Sequence, residues 1–398
     1  MNSSRYPGSD ISEDSVAFTV CIGQGMATEL PEQASFSHLA EHVLAESLLI
    51  DGERLRTVLF EAGIEVAART YPFHIELTLS CEPDDAVNNE ELIRRVVSLW
   101  THPHSLVPSF DEIHEARSAI AEEVSARQSH SILASFPWSV SASLCSASCV
   151  DGHDGFTNLS RLHSEDLLPR FHEFLRGLSR CSVGVGIGGN ASLLPQIFQA
   201  ALVEDIPYAS PTFLSACVSS LRQKQPRISR AVAADLFDFR TMWGEHSPEL
   251  GVVVAATLRY LLADIDPDAI WTAGTFGAFH GPDFAIFSRT SFCSVSRNRP
   301  PWSLTLPLSV NGTVDHDILR RAALLACEEF QALYADPLAL SSLRARGNLF
   351  GIDDAEVGRM LTSINEGIPS VFADLVVQTL NTISSRTAQG SLIWEPTA

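Results

Sequence analysis

The chain is nearly free of lysine. Lys224 is the only one among 398 residues, so arginine carries almost all of the positive charge, and 27 basic residues face 48 acidic ones. A formal charge of −21 repels polyanions, which argues against nucleic acid or an anionic membrane surface as partner. Long apolar runs are missing too: no stretch of about 20 apolar residues is present to cross a bilayer. The opening MNSSRYPGSDISED lacks the basic patch and apolar segment of a secretory signal. Cysteine is sparse, with eight residues spread over the chain, which fits a reducing compartment better than a disulfide framework. The expected location is the cytoplasm. Cys145 and Cys149 stand at i, i+4 without a second Cys/His pair nearby and read as buried thiols.

What is present is ordinary globular composition, 45% hydrophobic and 19% charged, long enough for two or three domains with sizeable cores. The apolar run Ser15 to Ile22 reads as a strand, and a helical pattern starts near Gln33. Asp51 to Ala62 reads as a helix ending at Gly63, and Glu65 to Ser80 as a strand or hairpin broken at Pro72. Helices are expected over Asn88 to Trp100, Phe110 to about Gln128 and Ser164 to Leu178, with a strand from Cys181 to Ile187. Pro, Ser and Gln accumulate after Pro207, and the order of elements then repeats. Strands are expected at Leu236 to Thr241, Phe284 to Ser296, Trp302 to Val310 and Ser391 to Trp394. Helices are expected at Pro248 to Leu262, Asp315 to Tyr334 and after Leu338. The pattern is α+β, in two consecutive units: residues 1–206, a linker at 207–230, and 231–398.

Within the helical pattern, His38-Leu39-Ala40-Glu41-His42 reads H-x-x-E-H. On a helix His38 and His42 lie one turn apart on one face, so both imidazoles reach a single metal ion. Two nitrogen ligands leave room for a third protein ligand and a water, the open geometry of catalytic zinc, with Glu41 beside them as the general base. The third ligand should come from a rigid element, and helix 110–128 offers Glu112, Glu115, Glu122 and Glu123. Glu115 and Glu122, seven apart, share a face, so Glu122 is expected as ligand and Glu115 as the carboxylate that orients a ligand histidine. Glu123 points roughly 100° away from Glu122.

These residues resemble those of the M16 metallopeptidases, the pitrilysin, insulin-degrading enzyme and mitochondrial processing peptidase group. There, as in SVAFTVCIGQGMATELPEQASFSHLAEHVL, a strand and a Gly-containing turn lead into H-x-x-E-H. The third ligand is a Glu on a later helix, preceded seven positions earlier by another Glu, as Glu122 is by Glu115. GIEVAART, Gly63 to Thr70, is similar to the G-x-x-x-N-A-x-T edge strand that receives substrate, with Ala67 in place of the Asn. LHSEDLLPRFHEFL, SVGVGIGGNASLL and EHSPELGVVVAATLRYLL also resemble family segments, so the likeness spans most of the chain.

The resemblance implies two α/β-roll domains, each a mixed sheet packed by helices, that form half of a clamshell with zinc in the first. It implies a peptide substrate held along Ala67, Ala68, Arg69 and Thr70. Short family members carry an Arg and a Tyr in the second domain that reach the opposite active site. Here those positions fall on Gly277 and Phe284, so the expected assembly is a heterodimer with a homologous subunit that supplies them, more than a homodimer. The expected activity is zinc-dependent endopeptidase. The alternatives are a non-catalytic peptide-binding or scaffolding subunit of the same fold, and a zinc hydrolase that matures a peptide natural product.

Two other patterns carry less. Gly184-Val185-Gly186-Ile187-Gly188-Gly189 satisfies G-x-G-x-x-G, but Asp205 sits in a loop rather than ending a second strand, so the segment reads as a strand-to-helix turn. His102, His104, His153, His163 and His172 read as surface residues.

Overall fold

The computed structural model describes residues 15–25, 29–33, 35–71, 74–129, 159, 164–189, 232–238, 247–265, 269–273, 280–281, 284–291, 315–388 and 393–394. The first unit starts with β1 (Val16–Ile22), whose unbroken apolar run is explained by burial on both faces. After it come α1 (Phe36–His42), a π turn (Val43–Ser47), a small hairpin of β2 (Leu49–Ile50) and β3 (Glu53–Arg54), and α2 (Leu55–Glu61). The helix expected from Asp51 therefore begins four residues later. Asp51 and Gly52 both take positive φ, 54° and 91°, the two-residue Asp-Gly turn whose twist suits a hairpin.

β4 (Glu65–Thr70) and β5 (Ile75–Cys81) form the next hairpin, followed by α3 (Pro83–Asn88), α4 (Glu90–Thr101), α5 (Phe110–Ser129), α6 (Ser164–Gly177) and β6 (Val183–Gly188). The sheet order is β4-β5-β1-β6, and its ladders are antiparallel. β4 is thus an edge among the described strands.

The second unit contains β7 (Val232–Asp238), α7 (Pro248–Ile265), β8 (Ala269–Ala273), β9 (His280–Gly281) and β10 (Phe284–Ser291). Then come α8 (His316–Ala335), α9 (Pro337–Phe350), α10 (Asp354–Glu366), α11 (Ser370–Ala388) and β11 (Ile393–Trp394). Its sheet runs β11-β7-β10-β8, with β9 paired to β10. β7 starts four residues before the expected Leu236, and β8 is a strand not expected from the sequence. The expected strand from Trp302 to Val310, the linker at 207–230 and Gly277 lie outside the described residues.

One helix crosses between the units. The first sheet packs α1, α4 and α5 on one face, where Val16, Phe18, Val20, Ile22, Ile75, Leu77 and Leu79 join Phe36, Leu39, Trp100 and Ile120 in one core. On its other face lies α9, against β6 and β1. Three glycines of β6 make this possible. A Cβ on Gly184, Gly186 or Gly188 would overlap the backbone carbonyl oxygen of Ala345, Ser341 or Pro337 respectively. Two strand residues rise about 6.6 Å and four helical residues about 6 Å, so an alternate-residue glycine groove matches an i, i+4 helix ridge. Asn348 Nδ2 and Arg344 Nη1 then donate to the carbonyls of Val185 and Ile187 at 2.6 and 2.8 Å. Gly184, Gly186 and Gly188 thus form a packing groove on a strand, while Gly189, at φ 94°, bends the chain after it; the helix expected next lies outside the described residues.

Candidate metal centre

The histidine-bearing helix is anchored at both ends. Phe36, Leu39, Ala40, Val43 and Leu44 are buried at i, i+3, i+4, i+7 and i+8, the spacing of a core-facing helical stripe. Phe36 meets Phe171 and Phe174 edge-on, with ring centroids 5.9 and 5.7 Å away. At the N-terminus, Glu29 accepts the backbone N–H groups of Ser35 at 2.9 Å and Ser37 at 2.7 Å. Burial pushes its carboxyl up to about 7, although those donated hydrogen bonds pull the other way. At the C-terminus the helix loosens into the π turn, and Trp100, fully buried, donates its Nε1–H to the Leu44 carbonyl at 2.9 Å.

On this helix His38 is 7% exposed, and the two imidazoles lie 5.0 Å apart between ring centroids. A carboxylate from α5 meets both of them. Glu123 Oε2 lies 3.0 Å from His38 Nε2 and 3.4 Å from His42 Nε2. Ligand atoms of a tetrahedral zinc, about 2.0–2.2 Å from the ion, stand about 3.3 Å from one another. Two imidazole nitrogens and a carboxylate oxygen at that spacing fit zinc in both chemistry and scale.

The expected ligand, Glu122, is not the residue brought to this point. Ile113, Ala116 and Ile120 are the buried stripe of α5, and the next position in that row is 123. Glu122 is rotated about 100° away. Glu115 is also displaced from its expected role: it pairs with Arg54, and eight residues of helix put it about 12 Å along the axis from Glu123. The carboxylate near His42 Nδ1 is instead Glu46, with Oε2 3.6 Å from it, an ion-pair distance, and Oε1 3.1 Å from Arg56. In the sequence the only signal of Glu46 is its position four residues beyond His42. Burial opposes charge on His42, but Glu123 and Glu46 more than offset that and raise its pKa to about 9. Glu112, the remaining carboxylate of α5, caps the helix: it accepts from Ser109 N at 2.6 Å and Leu49 N at 2.8 Å.

Glu41 points toward the edge strand. Its Oε2 accepts a hydrogen bond from Thr70 Oγ1 at 2.6 Å, so Thr70 ends β4 directly beside the histidine helix. Ala67, Ala68 and Arg69 precede it on β4, paired to Thr78, Leu77 and Glu76 of β5. The opposite edge of β4 has no described strand on it.

No known family profile matches the sequence, and no curated protein resembles it in sequence. Solved structures do resemble it in fold. A protease from Helicobacter pylori is 12% identical with a TM-score of 0.60, over 93% of this chain and 91% of that one. A peptidase M16 inactive domain from Pseudomonas fluorescens is 11% identical with a TM-score of 0.53, over 93% and 89%. The fold is that of M16-like peptidases. The periplasmic protease PqqL from Escherichia coli is 12% identical with a TM-score of 0.55; 94% of this chain matches, but only 44% of that one. This chain thus spans less than half of PqqL.

A second group of metal-type ligands, Cys21, His74 and Glu76, is wholly buried on the α9 face of the same sheet. It suits a metal less well. Glu76 Oε2, the oxygen nearest both partners, already accepts from Arg346 Nε at 2.6 Å and Ser342 Oγ at 2.9 Å. A guanidinium at that distance opposes a cation. Of the other histidines, His172 is half-buried, with Nε2 2.8 Å from the Pro108 carbonyl oxygen, while His153 and His163 lie outside the described residues. Among the described residues no helix is long and apolar enough to cross a membrane.

Proposed function

We propose that the chain is a zinc-dependent endopeptidase subunit, with His38, His42 and Glu123 as metal ligands and Glu41 as general base. The observation that carries this is convergence: the helix, the edge strand and α5 bring two imidazoles and a carboxylate to metal-binding spacing, with a hydrogen-bonded carboxylate alongside. Zinc bound there supplies a Lewis acid and acidifies a water. Glu46 orients His42, Thr70 holds one oxygen of Glu41, and the other oxygen is left to take a proton from water and return it to the leaving amine. The edge of β4 at Ala67 to Thr70, which carries no described strand, offers main-chain donors and acceptors to an extended peptide, so selection by side chain is loose. A homologous subunit that supplies the Arg and Tyr missing from this sequence completes the proposal, because an oxyanion-side donor is worth roughly 3–4 kcal/mol of barrier.

The likeness to an inactive M16 domain favours a second reading, a non-catalytic peptide-binding subunit. Metal analysis and a peptide-library digest, with and without a homologous subunit, separate the two. Glu41→Gln should leave zinc bound while hydrolysis falls by roughly 10²–10⁴-fold. A wild-type protein with stoichiometric zinc that cleaves nothing in either assay would establish the binding reading.

A further inference from the structure

The catalytic-side hydrogen bond from Thr70 to Glu41 ends a strand whose turn is gripped from the other half of the chain. Tyr71, the next residue, is 5% exposed, and its N–H donates to the His74 carbonyl at 2.8 Å, closing the β4–β5 turn. Its ring meets two groups. His74 stacks on it with centroids 4.6 Å apart, and the guanidinium carbon of Arg346 lies 4.8 Å from the ring centroid. Arg346 Nη2 also donates to the Tyr71 hydroxyl at 2.9 Å. The same guanidinium is fixed by Glu76 on β5, and Phe350, one turn further along α9, meets His74 edge-on at 5.8 Å.

We infer that Arg346 is a positioning residue for the catalytic base: through Tyr71 it fixes the end of β4 and thereby aims the Thr70 hydroxyl at Glu41. The inference rests on the peptidase reading above. It needs no contact between Arg346 and substrate. It makes α9, 276 positions beyond Thr70 in sequence at Arg346, part of the machinery of the first unit. A 1 Å displacement of a catalytic group can cost about a hundredfold in rate, and the Thr70–Glu41 bond has little slack at 2.6 Å. β4 remains paired to β5 along its length without Arg346, so the peptide-receiving edge persists and the effect falls on turnover.

The test uses the full chain with its homologous subunit and zinc. Replacing both charges together, Glu76→Gln with Arg346→Met, avoids a lone buried ion that would unfold the protein. The expected result is a kcat lower by roughly tenfold or more, with KM and zinc content near wild type. Arg346→Lys alone should recover most of that loss. Thr70→Val should show a loss that does not add to that of the double variant, because the two act through one bond. An unchanged kcat, or full additivity with Thr70→Val, would overturn the inference. Hydrogen exchange of the Tyr71 amide decides the structural part without any activity: faster exchange in the double variant supports the clamp, and unchanged protection removes it. A wild-type protein with no peptidase activity would count against the functional reading alone, and the exchange measurement would still judge the clamp.

Discussion

A single residue of register separates the expected metal ligand, Glu122, from Glu123, the carboxylate that stands beside both histidines. Glu122 and Glu123 are chemically equivalent, and the spacing from Glu115 favoured the first. The packing of Ile113, Ala116 and Ile120 against the core turns the second toward the histidines. Glu123→Gln should therefore strip zinc, read by metal analysis of the purified protein, whereas Glu122→Gln should leave the content unchanged; the reverse pattern would return the site to the face first expected. His74 makes a second residue-scale case. It is 0% exposed, neither ring nitrogen has a hydrogen-bond partner among the described residues, and burial lowers its pKa. Its Nε2 is 3.8 Å from Glu76, too long for a hydrogen bond. His74→Phe keeps the stacking and removes two unpartnered polar atoms, so urea denaturation should show a neutral change or a gain of up to about 1–2 kcal/mol.

At the scale of elements, the contact between β6 and α9 is decided by what the glycines lack. Gly186→Ala places a methyl group on the Ser341 carbonyl, backbone against backbone, where no rotamer offers relief. The expected cost is about 1–3 kcal/mol or more. Gly358 in α10 is the control: a Cβ there meets nothing within 4 Å, and alanine should stabilise the helix by about 0.4–1 kcal/mol. Thermal melts of the two variants should move in opposite directions. The hairpin at Asp51-Gly52 was legible in principle, since Asp-Gly is a hairpin dipeptide, but the apolar periodicity of Leu55 to Leu59 drew the helix start forward over it.

At the scale of the whole molecule, the polar bonds that join α9 to the first sheet include a buried ion pair, Glu76–Arg346. Burial opposes ionisation of Glu76, but the Arg346 guanidinium outweighs it and holds the carboxyl far below the usual glutamate range. A depressed folded pKa means that the pair's stabilisation is present above the ordinary value of about 4.5 and is lost as pH falls below it. Wild-type stability should therefore decline in that acid range more steeply than that of the Glu76→Gln, Arg346→Met double variant, as followed by urea midpoints over pH. Equal slopes would show that the pair does not report on the folded state.

The sequence by itself determined the local features: the H-x-x-E-H helix, the strand that precedes it, the split of the 65–80 segment into two strands, and the M16-like order of elements. Each of these depends on residues within a turn or a strand of one another, where periodicity and turn chemistry act directly. Only the tertiary structure decided which glutamate of α5 faces the histidines, that Glu46 and not Glu115 stands behind His42, and that the polar face of β5 is covered. Thr78 and Glu76 alternate with Leu77 and Leu79 as solvent-facing residues do, yet they meet Thr19 and Arg346 beneath a helix from the other half of the chain. A covering helix that distant leaves no period in the strand it covers. The one local trace of it is the glycine spacing in β6, which acquires its meaning from the backbone that packs there.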